Sequence, residues 1–352
     1  MSVIKLQGEK EKAKGIYYEV DPTNCLIGVG GMGRVYKGTC INSFSKEFRP
    51  VAIKFLYEDS TENAVNRARR EASIQLRNDN LIEMFGFIET IDRTNDGTFV
   101  NHYHVVSELL HGVTLSDILE GRDVDYNGNH VHFATEMIHL HNTDPERFAM
   151  IIMKSVLSGL TALHDNGYIH RDIDPSNIML TDDEHVKLID FGIAKRMGTL
   201  DSKQDSLVDP CQKERLVGKM KYAAPELVKS DVSHQDRTTD IYALGILFYQ
   251  LLCNHLPFEG NIKDVMEMQL NSEIPLDNIS NPIFRSIIKK ATEKQQENRY
   301  QSASEFRVAL DNCPTESISV SVGYEKSITN LLTIGAFALA GLIVGFVIAF
   351  IL

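Results

Sequence analysis

The chain has 352 residues, of which 43% are apolar and 24% charged, which is ordinary for a globular protein with a large core. A formal net charge of −12 disfavours a general nucleic-acid binder, because such proteins present a basic surface. The five cysteines are odd in number and contain no CxxC pair, so neither a disulfide framework nor a zinc site is indicated and a reducing compartment is expected.

The first third of the chain has β-type character. Residues 1–15 are polar and lysine-rich, which predicts a flexible N-terminal arm. Residues 62–77 carry small or apolar side chains at four-residue spacing, which predicts a single helix. Short β-type runs separated by glycines and charged turns surround it, at 17–20, 34–38, 51–55, 81–89 and 102–107. A small sheet with one helix follows from this pattern.

Beyond Gly112 the pattern becomes helical. Residues 120–143 are polar, rich in histidine and poorly periodic, and are interpreted as an inserted loop with a short helix at 133–140. The four histidines of this stretch have no cysteines or clustered carboxylates at a fitting spacing, so a solvated insertion is favoured over a metal site. They are His130, His132, His139 and His141.

Four later stretches predict further helices. Asp144-Pro145-Glu146 supplies an N-cap, a proline at the first helical position and a first-turn acid, and an apolar stripe follows to Leu163. Residues 240–253 are apolar nearly all round, as in a helix buried at the centre of a lobe. Residues 283–291 and 302–310 are amphipathic, and the second opens with a capping-box pattern.

The C-terminal stretch differs from all the rest. Residues 313–330 are rich in Ser, Thr and turn formers and predict a juxtamembrane linker. Residues 331–352 contain no charge and as a helix would be about 33 Å long, enough to cross a bilayer. We therefore expect a single-pass anchor in the cell membrane. A Gly341-x₃-Gly345 spacing is compatible with a dimer through this helix, although glycine is common in such segments.

The sequence YIHRDIDPSNIML at residues 168–180 combines two kinds of chemistry on one loop. Asp172 is a candidate proton acceptor, and Asn177 follows five residues later, after a turn set by Pro175. Asp190-Phe-Gly comes thirteen residues after Asn177. Asn177 and Asp190 offer oxygen ligands of the kind that Mg²⁺ prefers.

A glycine-rich stretch, GVGGMGRV at residues 28–35, is the candidate phosphate-binding element. A dinucleotide fold needs a helix at its third glycine, whereas residues 34–38 are strand-like, and no Lys-Ser/Thr follows as in a Walker loop. Lys54 ends a β-type run, and Glu71 lies on the one predicted helix of this region. Alone, either would be read as a surface residue.

Together these motifs, in this order and with Ala224-Pro225-Glu226 behind them, resemble the eukaryotic-like Ser/Thr protein kinase family, and GGMGRVYKG with DFGIAKR resembles its bacterial members. The resemblance covers residues 16–312. It implies an α+β, two-lobed fold, with a β-sheet N-lobe at 16–110 that carries one helix and a mainly helical C-lobe at 111–312 that carries the insertion.

The resemblance also implies roles for individual residues. Lys54 pairs with Glu71, Asp172 orients or deprotonates the hydroxyl of a protein substrate, and Asn177 and Asp190 hold Mg²⁺, or Mn²⁺ in its place. Glu226 pairs with Arg299, and Asp240 braces the catalytic loop. The hinge follows Ser107, the gatekeeper. The residues expected to contact ATP are Ile27, Gly28, Gly30, Gly31, Gly33, Val35, Ala52, Lys54, Ser107, Glu108 and Leu110.

Arg171, directly before the catalytic aspartate, implies control by phosphorylation of the activation segment between Asp190 and Glu226. A phosphate there would neutralise a basic pocket of Arg171 and Lys195. The candidate hydroxyls are Thr199, Ser202 and Ser206. The membrane anchor and the location of ATP together imply a catalytic domain in the cytoplasm.

Two positions depart from the family pattern. Asp174 stands where the family has a lysine that meets the γ-phosphate, and Lys219 stands where it has a threonine. Our hypothesis is that Lys219 returns the missing charge and pairs with Asp174. A pseudokinase is the alternative that these departures favour. A small-molecule kinase of the aminoglycoside phosphotransferase type is disfavoured, because that family lacks the segment at 224–226 that docks protein substrates.

A smaller departure concerns Glu71. It lies about two residues closer to Asn80 than is usual in the family, which implies a helix shorter by about half a turn.

Overall fold

An antiparallel sheet of seven strands forms the N-lobe of the computed structural model, which describes residues 3–93, 96–191, 194–197 and 220–313. The strand order is β1-β2-β4-β5-β7-β6, and β3 pairs with β4 beyond the end of β2. The strands are β1 (Ile4–Leu6), β2 (Ile16–Val20), β3 (Leu26–Gly30), β4 (Gly33–Asn42), β5 (Glu47–Leu56), β6 (Met84–Arg93) and β7 (Phe99–Glu108).

The N-terminal residues are part of this sheet, so the prediction of a flexible arm over 1–15 was wrong where the structure describes them. Strand β1 pairs with β2, with Ile4 opposite Val20, and helix α1 (Glu9–Ala13) follows it. Leu6 is 3% exposed and belongs to the same core cluster as Val51, Ile53 and other apolar residues of the sheet. One buried leucine in a strand of three residues is too short a pattern for the strand to be predicted from the sequence.

Helix α2 (Glu62–Ser73) packs against β6 and β7. The hydroxyl of Thr61 caps it by accepting the N–H of Ala64 at 3.3 Å, and Val65, Ala68 and Ala72 are buried beneath it. The helix ends at Ser73 rather than at the predicted residue 77. Ile74, just past its end, is 1% exposed, so the chain leaves the helix where its next apolar side chain enters the core.

The C-lobe is mainly helical, as expected. Short strands β8 (Gly112–Thr114), β10 (Ile178–Thr181) and β11 (Val186–Leu188) form one sheet in the order β11-β10-β8, and β9 (Tyr168–Ile169) pairs with β12 (Lys195–Arg196). The helices are α3 (Leu115–Leu119), α4 (His132–Thr143), α5 (Pro145–Asp165), α6 (Pro225–Val228), α7 (Arg237–Cys253), α8 (Ile262–Asn271), α9 (Pro282–Ala291) and α10 (Ala303–Asp311).

Two long helices form the centre of this lobe, and both predictions are confirmed. Helix α5 begins where Asp144 accepts the N–H of Arg147 at 3.0 Å, with Pro145 at the first helical position. Its predicted stripe is fully buried, from Phe148 through Leu163. Helix α7 is buried on every face over most of its length. The two helices pack against each other and provide the base for the catalytic loop.

The stretch at 120–143 is more ordered than the predicted insertion. Val124 and His130 form an isolated antiparallel bridge, and α4 runs through residue 143 rather than ending at 140. His141 is 7% exposed, and its ring lies 4.6 Å from that of Phe148 on α5. It is therefore a core histidine, whereas His130, His132 and His139 are exposed.

The final helix of the described chain, α10, begins with half of the predicted capping box. The N–H of Glu305 donates to the hydroxyl of Ser302 at 3.0 Å, but the Glu305 carboxylate accepts the N–H of Gln301 instead. Over the residues that the structure describes, we find no helix that is both long and apolar enough to cross a membrane. The predicted linker beyond residue 313 and the predicted anchor at 331–352 lie outside those residues.

Candidate active site

The glycine-rich stretch is a tight hairpin. Strands β3 and β4 are joined through Gly31 and Met32, with Gly30 opposite Gly33. A methyl group at Gly33 would lie 2.0 Å from the carbonyl oxygen of Phe55 on β5, so only glycine fits this close approach. A strand, not a helix, begins at Gly33, which confirms the interpretation against a dinucleotide fold.

The residues expected to contact ATP lie on neighbouring strands of the N-lobe. Val35 on β4 is directly opposite Lys54 on β5, and Ala52 is opposite Ser107 at the end of β7. Ile27, Gly28 and Gly30 are on β3, Gly31 is in the turn, and Glu108 and Leu110 follow Ser107. The sheet register therefore brings these scattered positions to one region.

Lys54 and Glu71 meet between β5 and α2. The ammonium of Lys54 is 3.7 Å from Oε2 of Glu71, and the Glu71 side chain is 7% exposed. Burial raises the pKa of Glu71 to about 7, with the nearby Asp190 adding to the increase and Lys54 opposing it. Although helix α2 is short, Glu71 lies on its buried face beside Ala72. The expected ion pair between Lys54 and Glu71 therefore forms.

The catalytic loop is held together by its own polar groups. The side-chain amide of Asn177 donates to the carbonyl oxygen of Asp172 at 2.8 Å, and the N–H of Ile189 donates to the carbonyl of Asn177 at 2.8 Å. Asp172 is 5% exposed. Arg171 and Asp190 have φ values of 66° and 61°, a strained backbone that the surrounding hydrogen bonds maintain. The bonds join the predicted base to Asn177, and join Asn177 to the residue directly before Asp190, the second predicted metal ligand.

Asp240, on α7, braces this loop from below as predicted. Its carboxylate accepts the N–H groups of His170 at 2.8 Å and Arg171 at 2.7 Å, and Nε2 of His164 lies 2.8 Å away. Burial acts to raise the pKa of Asp240, but the bonds from His164 and His170 outweigh it and the pKa is lowered. Asp240 is therefore a charged, fully buried support for the loop.

Asn177 and Asp190 line the same cavity, of about 470 Å³, next to the catalytic loop. Because the amide nitrogen of Asn177 is already bonded to Asp172, its side-chain oxygen is the atom left for a cation. Within the described residues no cluster of three or more histidine, cysteine or acidic side chains is assembled for a metal. Two protein oxygens suit Mg²⁺, which completes its shell with phosphate oxygens and water.

Asp174 is used for the structure of the loop. Its carboxylate accepts the backbone N–H of Ser176 at 2.7 Å and the Ser176 hydroxyl at 2.5 Å, which caps the 3₁₀ turn at Pro175–Asn177. It is 8% exposed. Repulsion between this carboxylate and a phosphate is reduced, because the bonded oxygen faces donors of the loop.

The hinge carries a partly buried ion pair that the sequence did not suggest. Lys187 on β11 is 7% exposed, and its ammonium lies 3.2 Å from Oε2 of Glu108. The same oxygen accepts the N–H of Glu83 at 3.2 Å. No signal marked Lys187, because a lysine in the run HVKLI reads as the exposed position of a strand.

The activation segment is described only at its ends. Lys195 lies opposite Ile169 in the β9–β12 pair, and the guanidinium of Arg171 donates to the side chain of Gln235 at 2.9 Å. Beyond the segment, Arg299 forms the predicted ion pair with Glu226. The pair is buried and bidentate, with guanidinium-to-carboxylate distances of 2.9 and 3.0 Å. Lys219 and the candidate phosphorylation sites Thr199, Ser202 and Ser206 lie outside the described residues.

The comparisons with known proteins agree with this geometry. The family model for the protein kinase domain matches residues 23–309. The chain is 31% identical over 290 residues to a probable serine/threonine-protein kinase of Clostridium perfringens, and 31% identical over 294 residues to the probable serine/threonine-protein kinase PknB of Bifidobacterium longum. It is 28% identical over 287 residues to the serine/threonine-protein kinase PknL of Mycobacterium tuberculosis.

These matches cover most of this chain but less of its relatives. They include 80%, 81% and 79% of the chain, and 36%, 38% and 61% of the three relatives in the same order. The chain thus matches little more than a third of the first two proteins. With a family model that covers most of the chain, a β-sheet N-lobe and a helical C-lobe, the chain belongs to the protein kinase domain family.

Proposed function

We propose that the chain transfers the γ-phosphoryl group of Mg-ATP to Ser or Thr hydroxyls of proteins. The observation that carries this proposal is the hydrogen bonding that joins Asp172 to Asn177 within the catalytic loop and joins Asn177 to Ile189, the residue before Asp190. Asp190 is in turn close enough to Glu71 to raise its pKa. The fold itself does not require a base, two cation ligands and a Lys–Glu ion pair in this arrangement. Phosphoryl transfer does require them. The names of the relatives support the same activity.

The chain's own residues divide the work in this proposal. The ammonium of Lys54, steadied by Glu71, binds phosphate oxygens of the nucleotide. Asp172 accepts a hydrogen bond from the substrate hydroxyl and takes its proton as the new O–P bond forms and the bond between the β- and γ-phosphates breaks. ADP is the leaving group. Asn177 and Asp190 would hold Mg²⁺, which neutralises charge on the phosphates.

Asp174 and Lys219 are the departures on which the rival proposal rests, a pseudokinase that binds partners without phosphoryl transfer. The cap that Asp174 forms with Ser176 favours the enzyme, because the aspartate then has a role in the loop that leaves the base at Asp172 in place. In our proposal Lys219 supplies the ammonium that position 174 lacks. Autophosphorylation of the activation segment, at Thr199, Ser202 or Ser206, belongs to the same proposal.

We further propose that residues 331–352 anchor the chain in the cell membrane as a single span, with the kinase domain in the cytoplasm for membrane-associated signalling. The support is the length and charge-free character of this stretch. The anchor is tested by extracting membranes of cells that express the chain with alkaline carbonate, because a protein with a membrane-spanning helix stays in the membrane pellet. Release of the full-length chain into the supernatant would overturn it. Chemical cross-linking of the same membranes tests for a dimer.

Incubation of the full-length chain with Mg-ATP, followed by mass spectrometry, tests the enzymatic proposal. We expect phosphate on Ser or Thr of the wild type and none on the Asp172→Asn variant, which keeps the size of the side chain. Matched binding of an ATP analogue by the two proteins shows that the variant is folded. Nucleotide binding without any phosphate on the wild type or on added protein substrates would favour the pseudokinase.

A further inference from the structure

The cavity beside the catalytic loop extends well beyond the metal ligands. Its walls include Asn177 and Asp190 at one end, Glu120 after helix α3, Lys221 before helix α6 and the C-terminal end of α7. Of the residues expected to contact ATP from β3, β4, β5 and the hinge, none lines this cavity in the described part of the chain. The cavity therefore reaches the candidate Mg²⁺ ligands but not the expected nucleotide contacts on the N-lobe strands and the hinge.

The acidic groups of this cavity already have partners. The Asp174 carboxylate accepts two hydrogen bonds from Ser176, and the Glu120 carboxylate pairs with Arg122. Asp190 is a candidate cation ligand. Although acids outnumber bases on the lining, these carboxylates are engaged before any ligand arrives.

Lys221 is the exception among the charged groups on the lining. Its ammonium has no ion pair with any residue in the described ranges, and the residue is half-buried on the cavity lining. Removing part of the hydration of an ammonium without giving it a partner is unfavourable. A bound anion would satisfy it.

The backbone at Lys221 is fixed in place. Its carbonyl oxygen accepts the side-chain N–H of Gln269 at 2.7 Å, and Gln269 is fully buried and accepts the hydroxyl of Tyr242 at 2.6 Å. The next residue, Tyr222, donates its hydroxyl to Gln250 at 2.6 Å. The backbone that carries Lys221 is thus held against α7 and α8, which limits the backbone entropy lost when its ammonium binds a ligand.

We propose that Lys221 binds the carboxylate of an Asp or Glu side chain in the protein substrate, close in sequence to the accepting hydroxyl. The inference rests on the proposed kinase activity and adds a substrate class to it. An acidic substrate is repelled at long range by the net charge of −12, but that field is screened beyond about 8 Å at physiological salt, whereas a contact in the cavity is not. Lys221 therefore determines specificity rather than the rate of encounter.

Three synthetic peptides of equal length test this proposal, with one serine flanked on both sides by Glu, Gln or Lys. The kcat/KM of the full-length chain is measured for each peptide at 150 mM salt with saturating Mg-ATP. We expect the wild type to favour the Glu peptide over the Gln peptide by about tenfold, the scale of one charge-assisted hydrogen bond. Lys221→Gln abolishes this preference, and Lys221→Glu reverses it toward the Lys peptide.

Lys229→Gln is the matched control, because Lys229 is exposed and lies outside the cavity. It keeps the wild-type preference. An unchanged ratio in Lys221→Glu overturns the proposal, as does a wild type without charge preference. An equal loss on all three peptides with a raised KM for ATP also overturns it, since the ammonium then serves the nucleotide.

Two further measurements keep the outcomes separate. If Lys221 variants fail to fold, as judged by binding of an ATP analogue, the charge preference of the wild type decides alone. If the wild type phosphorylates no peptide, the proposed function is judged by phosphate on the chain itself and on protein substrates, and fluorescence anisotropy of the labelled peptides still measures binding. Equal affinity for the Glu and Lys peptides then overturns the inference independently of catalysis.

Discussion

Asp174 and Ser176 form a closed turn in the catalytic loop, in which one carboxylate oxygen accepts both the backbone N–H and the hydroxyl of the serine. These hydrogen bonds give the aspartate at position 174 a structural role. The aspartate stands where the family has a lysine, and it is a cap that orders the turn between Asp172 and Asn177.

The cap predicts a specific pattern of stabilities. Asp174→Ala removes the acceptor and is expected to lower the free energy of unfolding by about 1 kcal/mol, whereas Asp174→Asn keeps an acceptor and loses a few tenths. Urea unfolding of the full-length chain measures both. Equal losses in the two variants would show that the hydrogen bonds to Ser176 contribute nothing.

Lys219 is predicted to supply the positive charge missing at position 174. Lys219→Ala should lower kcat by at least about a hundredfold, the scale of losing one group that stabilises transition-state charge. The double variant Asp174→Lys, Lys219→Thr restores the family pattern and should recover much of the rate. A wild-type kcat in Lys219→Ala would refute the relocated charge.

Glu71 makes the stability depend on pH. Its carboxyl has a pKa of about 7 in the folded chain against an ordinary value of 4.5, so the folded state binds its proton more tightly. The resulting stability is complete below pH 4.5 and is lost as the pH rises through 7, an effect of about 2 to 3 kcal/mol between pH 5 and 8. Glu71→Gln cannot titrate and lacks this loss.

The measurement is the difference in the free energy of unfolding between wild type and Glu71→Gln at several pH values, in which other titrating groups cancel. We expect the wild type to lose stability relative to the variant as the pH increases. A difference that is flat from pH 5 to 8 would mean that Glu71 is ionised throughout, with Lys54 rather than burial controlling its pKa.

Lys187 is predicted to position the hinge through Glu108. Lys187→Met leaves the Glu108 carboxylate with the N–H of Glu83 as its remaining bond among those described, so the backbone that would hold adenine shifts. We expect KM for ATP to rise about three- to tenfold with kcat within about twofold. Lys187→Arg keeps the charge and should retain most of the affinity. A fall in kcat at constant KM would contradict a positioning role.

The sequence predicts the central helices of the C-lobe and the strand after Gly33 correctly, because the local residue pattern and the tertiary packing agree in these elements. The stripe from Phe148 to Leu163 and the all-round apolar face of α7 are buried as the periodicity requires. The β-type residues after Gly33 correctly predict the strand that begins there. The spacing of Asp172, Asn177 and Asp190 is enough to predict the candidate active site from the sequence.

Other features depend on contacts that a single sequence does not reveal. Strand β1 is defined by its pairing with β2, and the end of α2 by the burial of Ile74. Lys187 and Lys221 are ordinary lysines in the sequence, and their roles come from a carboxylate on another strand and from a cavity formed by distant helices. The capping role of Asp174 depends on the fold of the loop, which brings the N–H and hydroxyl of Ser176 to its carboxylate.

The central claim is that this chain is an active kinase although an aspartate replaces the lysine at position 174. The most direct measurement is the single-turnover transfer of γ-phosphate to serine in a protein substrate, by the full-length wild type and by Asp172→Asn. We predict phosphoserine from the wild type and a rate at least about a hundredfold lower from the variant. Equal rates, or no phosphoserine from a wild type that binds Mg-ATP, would contradict the account.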